Sequence, residues 1–272
     1  MTRRFAARLA APLVAAAVTA LGLVGCSGPG PERLAVEVIA SHPHDSRAFT
    51  QGLVWHEGAI YESTGLHGAS SLRQTELDGT VVRSRPLAAH LFGEGLALVE
   101  GELLQLTWQD GLLLRYDLVT FEPTGSQRYD GEGWGLCYDG TSLWMSDGSA
   151  TLTRRRPDDF AVLGRTEVRL AGKPVTKLNE LECVDGAVYA NVWYSDDVLR
   201  IDPATGTVTA VIDAAPLRAS LGQTAPDAVL NGIAYDASSG NFLLTGKLWP
   251  KLFEVRFRPA RRYPRPRTGH RS

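Results

Sequence analysis

Five short blocks centred on Gly-Leu divide this chain into lengths of similar size, and that periodicity constrains the fold more than any other feature. The blocks are Gln51-Gly52-Leu53, Glu94-Gly95-Leu96, Trp134-Gly135-Leu136, a degenerate Glu180-Leu181-Glu182, and Asn231-Gly232-Ile233. Their spacings are 43, 40, 46 and 51 residues. A repeat of that length marks a propeller blade of about four strands. A closed ring of such blades gathers equivalent positions around one axis, so residues far apart in sequence share one pocket.

Each repeat carries the parts of a blade. A tight turn follows the Gly-Leu strand, as in His56-Glu57-Gly58, Val99-Glu100-Gly101, Tyr138-Asp139-Gly140, Val184-Asp185-Gly186 and Ser238-Ser239-Gly240. Glycine there supplies the positive φ that hairpin turns require. Short apolar second strands come next, at 59–62, 103–108, 143–145, 188–193 and 242–245. Third strands begin at Leu72, Leu114, Leu152, Leu199 and Leu252. The first four repeats continue into a turn and a fourth strand. The fifth runs instead into Arg258-Pro259, and residues 34–39 (Leu-Ala-Val-Glu-Val-Ile) offer the missing strand from the other end of the chain. Pairing it beside 252–257 closes the ring. The expected fold is an all-β, five-bladed β-propeller with four-stranded blades, its last blade closed by the N-terminal strand. An irregular β-sandwich is the competing architecture. The chain has 272 residues, 44% of them hydrophobic, enough for one domain with a self-sufficient core. Helix is expected only near 214–221.

The ends read differently. Arg3, Arg4 and Arg8 precede an apolar run at 9–24 that ends Leu23-Val24-Gly25-Cys26, followed by Ser-Gly-Pro-Gly. This is the pattern of a secretory signal. Its last four residues resemble a bacterial lipobox, in which Cys26 is lipidated after cleavage; a plain signal peptide or a single anchor helix are the alternatives. Acylation anchors a protein without spanning the bilayer. The expected organisation is a lipoprotein signal peptide at 1–25, a flexible linker at 26–33, a catalytic propeller at 34–257, and a basic, Pro-rich, disordered tail at 258–272. The expected location is the outer face of the bacterial cell membrane, as an exported, lipid-anchored monomer. Two cysteines remain, Cys137 and Cys183, at the same place in the third and fourth repeats. Export permits a disulfide, but equivalent strands of adjacent blades diverge with the ring, which favours two buried free thiols.

Charge excludes one class of partner. Setting aside the three signal arginines and the six from Arg258 onward leaves 19 basic residues against 30 acidic, so the core is near −11. Nucleic acid is therefore not the expected partner. Standard motifs are scarce. There is no Gly-x-Ser-x-Gly elbow, residues 240–247 miss the P-loop spacing by one residue, and the glycines at 131–135 open a strand rather than a helix. His42-Pro43-His44-Asp45 has ligand-type residues but no second cluster, so a polar loop is the expected reading and no metal or cofactor is assigned.

Hairpin geometry says where chemistry can sit. The start of strand one and the end of strand two lie at one edge. The starts are Gln51, Glu94, Trp134, Asn179 or Glu180, and Asn231; the ends are Ser63, Trp108, Asp147, Trp193 and Lys247. One face of the ring therefore displays a carboxyl, amides, an ammonium and three indoles. The bland reading is filler around a channel mouth. The sharper one is an aromatic cup around Glu94, in which indole faces attract a cation and burial raises the carboxyl pKa.

These segments resemble a known family. Ala48-Phe49-Thr50-Gln51-Gly52-Leu53, Glu62-Ser63-Thr64-Gly65, Leu91-Phe92-Gly93-Glu94-Gly95-Leu96, Leu106-Thr107-Trp108, Glu132-Gly133-Trp134-Gly135-Leu136, Leu178-Asn179-Glu180-Leu181-Glu182, Ala190-Asn191-Val192-Trp193, Asn231-Gly232-Ile233-Ala234 and Thr245-Gly246-Lys247-Leu248-Trp249-Pro250 are similar to the glutaminyl-peptide cyclotransferases of plants and bacteria. The resemblance covers about residues 49–257 in matching order, and departs from the family only at the lipobox and the tail. It implies a five-bladed propeller unrelated to the zinc-dependent animal enzymes, with the catalytic glutamate at Glu94. It implies pocket residues at Phe49, Gln51, Phe92, Trp108, Trp134, Asn179, Trp193 and Lys247, with Lys247 and Asn179 as donors to the reacting amide. The implied substrate is an N-terminal Gln of a peptide or protein, closed to pyroglutamate with release of ammonia. A non-catalytic cell-surface propeller that binds a ligand or protein in the same cup is the alternative. A calcium-dependent propeller hydrolase is disfavoured, because Glu94 and Glu180 are the only acidic strand starts.

Overall fold

The computed structural model describes residues 30–260. The expected signal segment, Cys26 and the tail beyond Ala260 lie outside the described residues. The described chain is all-β apart from one short helix. Strand β1 (Glu32–Pro43) comes first. Three separate antiparallel meanders follow: β2 (Thr50–His56), β3 (Ala59–Thr64), β4 (Ser71–Thr75) and β5 (Val81–Pro86); β6 (Gly93–Val99), β7 (Glu102–Thr107), β8 (Leu112–Asp117) and β9 (Pro123–Arg128); and β10 (Leu136–Tyr138), β11 (Leu143–Met145), β12 (Thr151–Arg155) and β13 (Val162–Glu167). A ribbon of β14 (Arg169–Leu170) and β15 (Lys173–Pro174) leads to a fourth meander of β16 (Leu178–Val184), β17 (Ala187–Val192), β18 (Asp197–Asp202) and β19 (Thr207–Asp213). Helix α1 (Ala215–Ala219) connects to β20 (Leu230–Asp236), β21 (Asn241–Gly246) and β22 (Lys251–Pro259).

The turns expected from glycine are present. Glu57 and Gly58, Glu100 and Gly101, and Asp185 and Gly186 all have positive φ in consecutive pairs, as hairpins with the twist of their strands require.

Strand β1 completes the last sheet. It runs antiparallel to β22, pairing Val36 with Phe257, Val38 with Val255 and His42 with Leu252. Its first residues also run parallel to β19, from Glu32 beside Ala210 to Ala35 beside Asp213. The fourth meander, β1 and β20 to β22 therefore form one ten-stranded sheet together with the ribbon. Strand β22 continues through Pro259, and Ala260 N–H donates to the Arg33 carbonyl at 2.9 Å. Arg258 and Pro259 thus belong to the sheet rather than to a tail starting at 258. Proline is tolerated because it stands at the strand's end.

Five buried apolar clusters lie between the successive meanders and within the ten-stranded sheet. Val54, Leu72, Leu96 and Phe121 fill the gap between the first and second meanders, and Leu104, Leu136 and Phe160 fill the next. Leu53, Ile60, Ala234 and Leu243 pack the first meander against the last sheet, so the succession returns to its start. The same junction holds a buried ionic cluster. Glu62 accepts from Thr50 at 2.6 Å and from the Arg73 guanidinium, and His44 Nε2 lies 3.1 Å from its Oε1. Burial alone pushes the Glu62 carboxyl up, but His44, Arg73 and Thr50 outweigh it and lower its pKa to about 2. His44 Nδ1 meets the Trp249 carbonyl at 2.7 Å, and Asp45 pairs with Arg73. The His42–Asp45 segment is thus a structural tie.

Cys137 and Cys183 form a disulfide, with Cα atoms 5.4 Å apart. This overturns the expectation of free thiols. The innermost strands do not diverge at their starts: Gly95 N–H donates to the Trp134 carbonyl at 2.8 Å, and a Cβ on Gly135 would stand 2.0 Å from the Asn179 carbonyl oxygen. At that spacing a bridge between β10 and β16 fits.

Candidate active site

The site is built at the starts of the inner strands, and backbone irregularity builds it. Register shifts fall between Thr50 and Gly52 in β2, Gly93 and Leu96 in β6, Leu178 and Leu181 in β16, and Leu230 and Ile233 in β20. Each shift brackets one of the expected strand-start residues: Gln51, Glu94, Asn179 and Asn231. A bulge turns the extra residue out of the pleat and re-aims its side chain. Gly52, Gly95 and Gly135 are there because neighbouring inner strands nearly touch, whereas Gly232 stands at φ 120°. A Cβ on Gly52 would lie 2.5 Å from Leu96 N, and one on Gly95 would lie 2.5 Å from Leu136 N. The degenerate repeat places Asn179 at the position of Gln51 and Glu180 at the position of Gly52. The Glu180 carboxyl reaches across the centre to accept from Ile233 N–H at 2.8 Å and Leu53 N–H at 3.3 Å.

The strand-two ends fall in a matching column, with one correction. Gly65, Trp108, Trp193 and Lys247 each donate their N–H to the residue that precedes the neighbouring strand start or its bulge, at 2.8–2.9 Å. The first repeat therefore contributes Gly65, not Ser63. Ser63 instead accepts from buried Gln105 at 2.7 Å. Gly65 leaves room for the Phe92 ring, which a Cβ would meet at 2.3 Å.

Phe49, Gln51, Phe92, Glu94, Trp108, Trp134, Asn179, Trp193 and Lys247 line one cavity of about 220 Å³. That is smaller than the roughly 300–1,000 Å³ of pockets for drug-sized ligands, and fits a single residue. Rings make its wall. Phe49 meets Phe92 edge-on at 6.2 Å, Phe92 meets Trp108 at 5.6 Å, and Trp134 meets Trp193 at 5.5 Å. Polar groups make its floor, where Gln51, Glu94, Asn179 and Lys247 are buried.

A chain of hydrogen bonds sets the floor. Asn231 Nδ2 donates to the Thr50 carbonyl at 2.9 Å and to Gln51 Oε1 at 3.3 Å. Gln51 Nε2 donates to Glu94 Oε1 at 3.0 Å. Burial raises the Glu94 pKa well above the carboxylate range; Lys247 opposes that rise and Glu132 adds to it. Burial likewise lowers the Lys247 pKa to about 8, against the pull of Glu94 and Asp227. The Gln51 bond holds Glu94 Oε1 as an acceptor. Asn179 Oδ1 is buried and has no partner among the described residues.

Three further residues line the mouth: Leu66, Tyr194 and Asp227. Glu132 sits behind the wall. Its Oε2 accepts from Trp108 Nε1 at 2.8 Å and Trp134 Nε1 at 3.0 Å, and its Oε1 accepts from Gln109 at 3.0 Å. A lone carboxylate thereby fixes two indole planes. The Glu-Gly-Trp run was a visible signal for it, but nothing in the sequence showed that Trp108 shares it. Of the other residues in the two columns, Asp147 caps the Ser149 N–H at 3.0 Å and does not line the cavity. Among the described residues no group of three or more His, Cys, Asp or Glu side chains could hold a metal ion.

An aromatic cup with one buried carboxyl at its floor, hydrogen-bonded by an amide relay, is the site of an acid–base enzyme that takes one amino-acid-sized group. The glutamine cyclotransferase family model matches residues 9–257, and the chain belongs to that family. A glutaminyl-peptide cyclotransferase of Arabidopsis thaliana is 40% identical over 231 residues, covering 83% of this chain and 72% of the plant protein. The crystal structure of Myxococcus xanthus glutaminyl cyclase superposes with a TM-score of 0.80 at 49% identity, covering 84% of this chain and 98% of that one.

Proposed function

We propose that this protein is a glutaminyl-peptide cyclotransferase, with Glu94 as its shared acid and base. The observation that carries the reading is the buried Glu94 carboxyl held through Oε1 by Gln51 in a cavity for one residue. The substrate α-amine attacks its own side-chain amide carbon. As the new C–N bond forms, Glu94 Oε1 accepts the amine proton, and Oε2 delivers its proton to the departing amide nitrogen. The old C–N bond breaks, ammonia leaves, and the carboxyl ends neutral, as it began. A neutral relay suits a site whose burial disfavours the carboxylate. Lys247 and Asn179 Nδ2 are donors to the oxygen that gains charge or to the scissile amide. The aromatic wall folds the Gln side chain back on its own amine and excludes water. No step needs a metal or cofactor.

The same reading extends to the whole chain. Four meanders, a last sheet completed by β1, and clusters that return from last sheet to first support a five-bladed propeller with four-stranded blades. The signal pattern supports export and lipid anchoring through Cys26 at the outer face of the membrane, with the enzyme acting there as a monomer. The deciding experiment is ammonia release from a peptide with N-terminal Gln, run beside Glu94→Gln. Turnover that needs Glu94 supports the reading; absence of turnover leaves a binding cup.

A further inference from the structure

The mouth of the cavity carries two exposed apolar side chains on backbone that non-glycine residues rarely adopt. Leu66 has φ 88° and Tyr194 has φ 64°. They are 40% and 55% exposed, and both line the cavity. They occupy the same position of their repeats, the residue after the strand-two column. In the third repeat that position is Gly148, with φ 78°. Glycine therefore satisfies the turn, and the turn does not call for a side chain there. Left-handed non-glycine residues at a site point to a use for the side chain they present.

The position suggests the use. Tyr194 continues the aromatic wall outward: its ring centroid is 4.6 Å from that of Trp193, which is 5.5 Å from that of Trp134. Its hydroxyl donates to Asp227 Oδ1 at 3.2 Å, which pins the ring at the rim. The cavity has room for one residue, and buried Gln51, Glu94 and Asn179 close its floor. A glutaminyl residue that enters with its amine and side chain first leaves its carbonyl at the mouth. The next residue of the chain then emerges between Leu66 and Tyr194.

We propose that Leu66 and Tyr194 form a subsite for the residue that follows the N-terminal Gln, selecting an apolar or aromatic side chain there. The inference rests on the cyclotransferase reading and deepens it. The test is kcat/KM for Gln-amide and for Gln-Phe, Gln-Gly and Gln-Glu peptide amides, with wild type and with Leu66→Gly and Tyr194→Gly, singly and together. Glycine accepts the left-handed conformation, so the variants keep the turn, and thermal midpoints at or above wild type verify it. Wild type is expected to favour Gln-Phe over Gln-Gly by about three- to tenfold, the scale of burying part of one apolar side chain. The double variant is expected to bring that ratio close to one through KM rather than kcat. A flat wild-type series, or a ratio that survives both substitutions, overturns the subsite while turnover of Gln-amide leaves the activity standing. No turnover of any of the four substrates overturns both.

Discussion

Burial favours the neutral form of Glu94, and Gln51 holds Oε1 as an acceptor. Glu94→Gln keeps shape but ends proton exchange. Activity on Gln peptides should fall by about 10²–10⁴-fold with folding nearly unchanged; steady-state turnover and a melting curve check both halves. The pH profile follows from two other groups. The substrate α-amine titrates near ~8 and attacks only when neutral, so the rate falls below that pH. Lys247, lowered to about 8, loses its charge as pH rises through that value, so its support of the oxyanion fades on the alkaline side. The expected profile of kcat/KM is a narrow bell centred near pH 8. Lys247→Arg, which stays charged, should lower the maximum and move the alkaline limb upward. An alkaline limb unmoved by that substitution assigns it to another group.

At the scale of the element, the inner strands explain why four repeats share a glycine and one does not. Strand starts packed 2.0–2.5 Å from an added Cβ leave no room for a ring of side chains. One carboxyl fits, and Glu180 uses it to bond the N–H groups of Leu53 in β2 and Ile233 in β20. Glu180→Ala should leave both donors buried and unpaired, at about 1–3 kcal/mol each. Glu180→Gln keeps an acceptor and should cost less. Denaturant midpoints of Glu180→Gln beside Glu180→Leu, similar in volume, separate this from simple cavity formation, which would leave the two alike. Gly95→Ala should destabilise by about 1–3 kcal/mol through overpacking against Leu136 N.

For the whole molecule, stability depends on keeping the sheets in one ring. The Cys137–Cys183 bridge links the third and fourth meanders across 46 residues. Replacing both cysteines by alanine should cost about 2–4 kcal/mol, and reductant should reproduce most of that loss in equilibrium unfolding of the wild type but none in the variant. Anchoring belongs to the same scale. The chain should fractionate with membrane, with lipid mass on an N-terminal Cys26, and Cys26→Ala should release it; a variant that stays bound, with no lipid mass on the wild type, counts against the lipobox.

Phe49 and Phe92 followed only from the family resemblance, whereas the sequence pattern itself carried the repeat, the all-β class, the strand that completes the last sheet and seven of the residues that line the cup. Each of these is local: glycine at fixed spacing reports close backbone contact, and hairpin geometry brings strand starts and ends to one edge. Tertiary structure decided what depends on distances between repeats. The four bulges that aim Gln51, Glu94, Asn179 and Asn231 leave no mark in composition, because the extra residue is of any type. The choice of Gly65 over Ser63, the disulfide in place of free thiols, Glu132 under two indoles and Glu180 across the axis all turn on how near adjacent sheets come. That spacing is set by packing around the whole ring, and no single segment contains it.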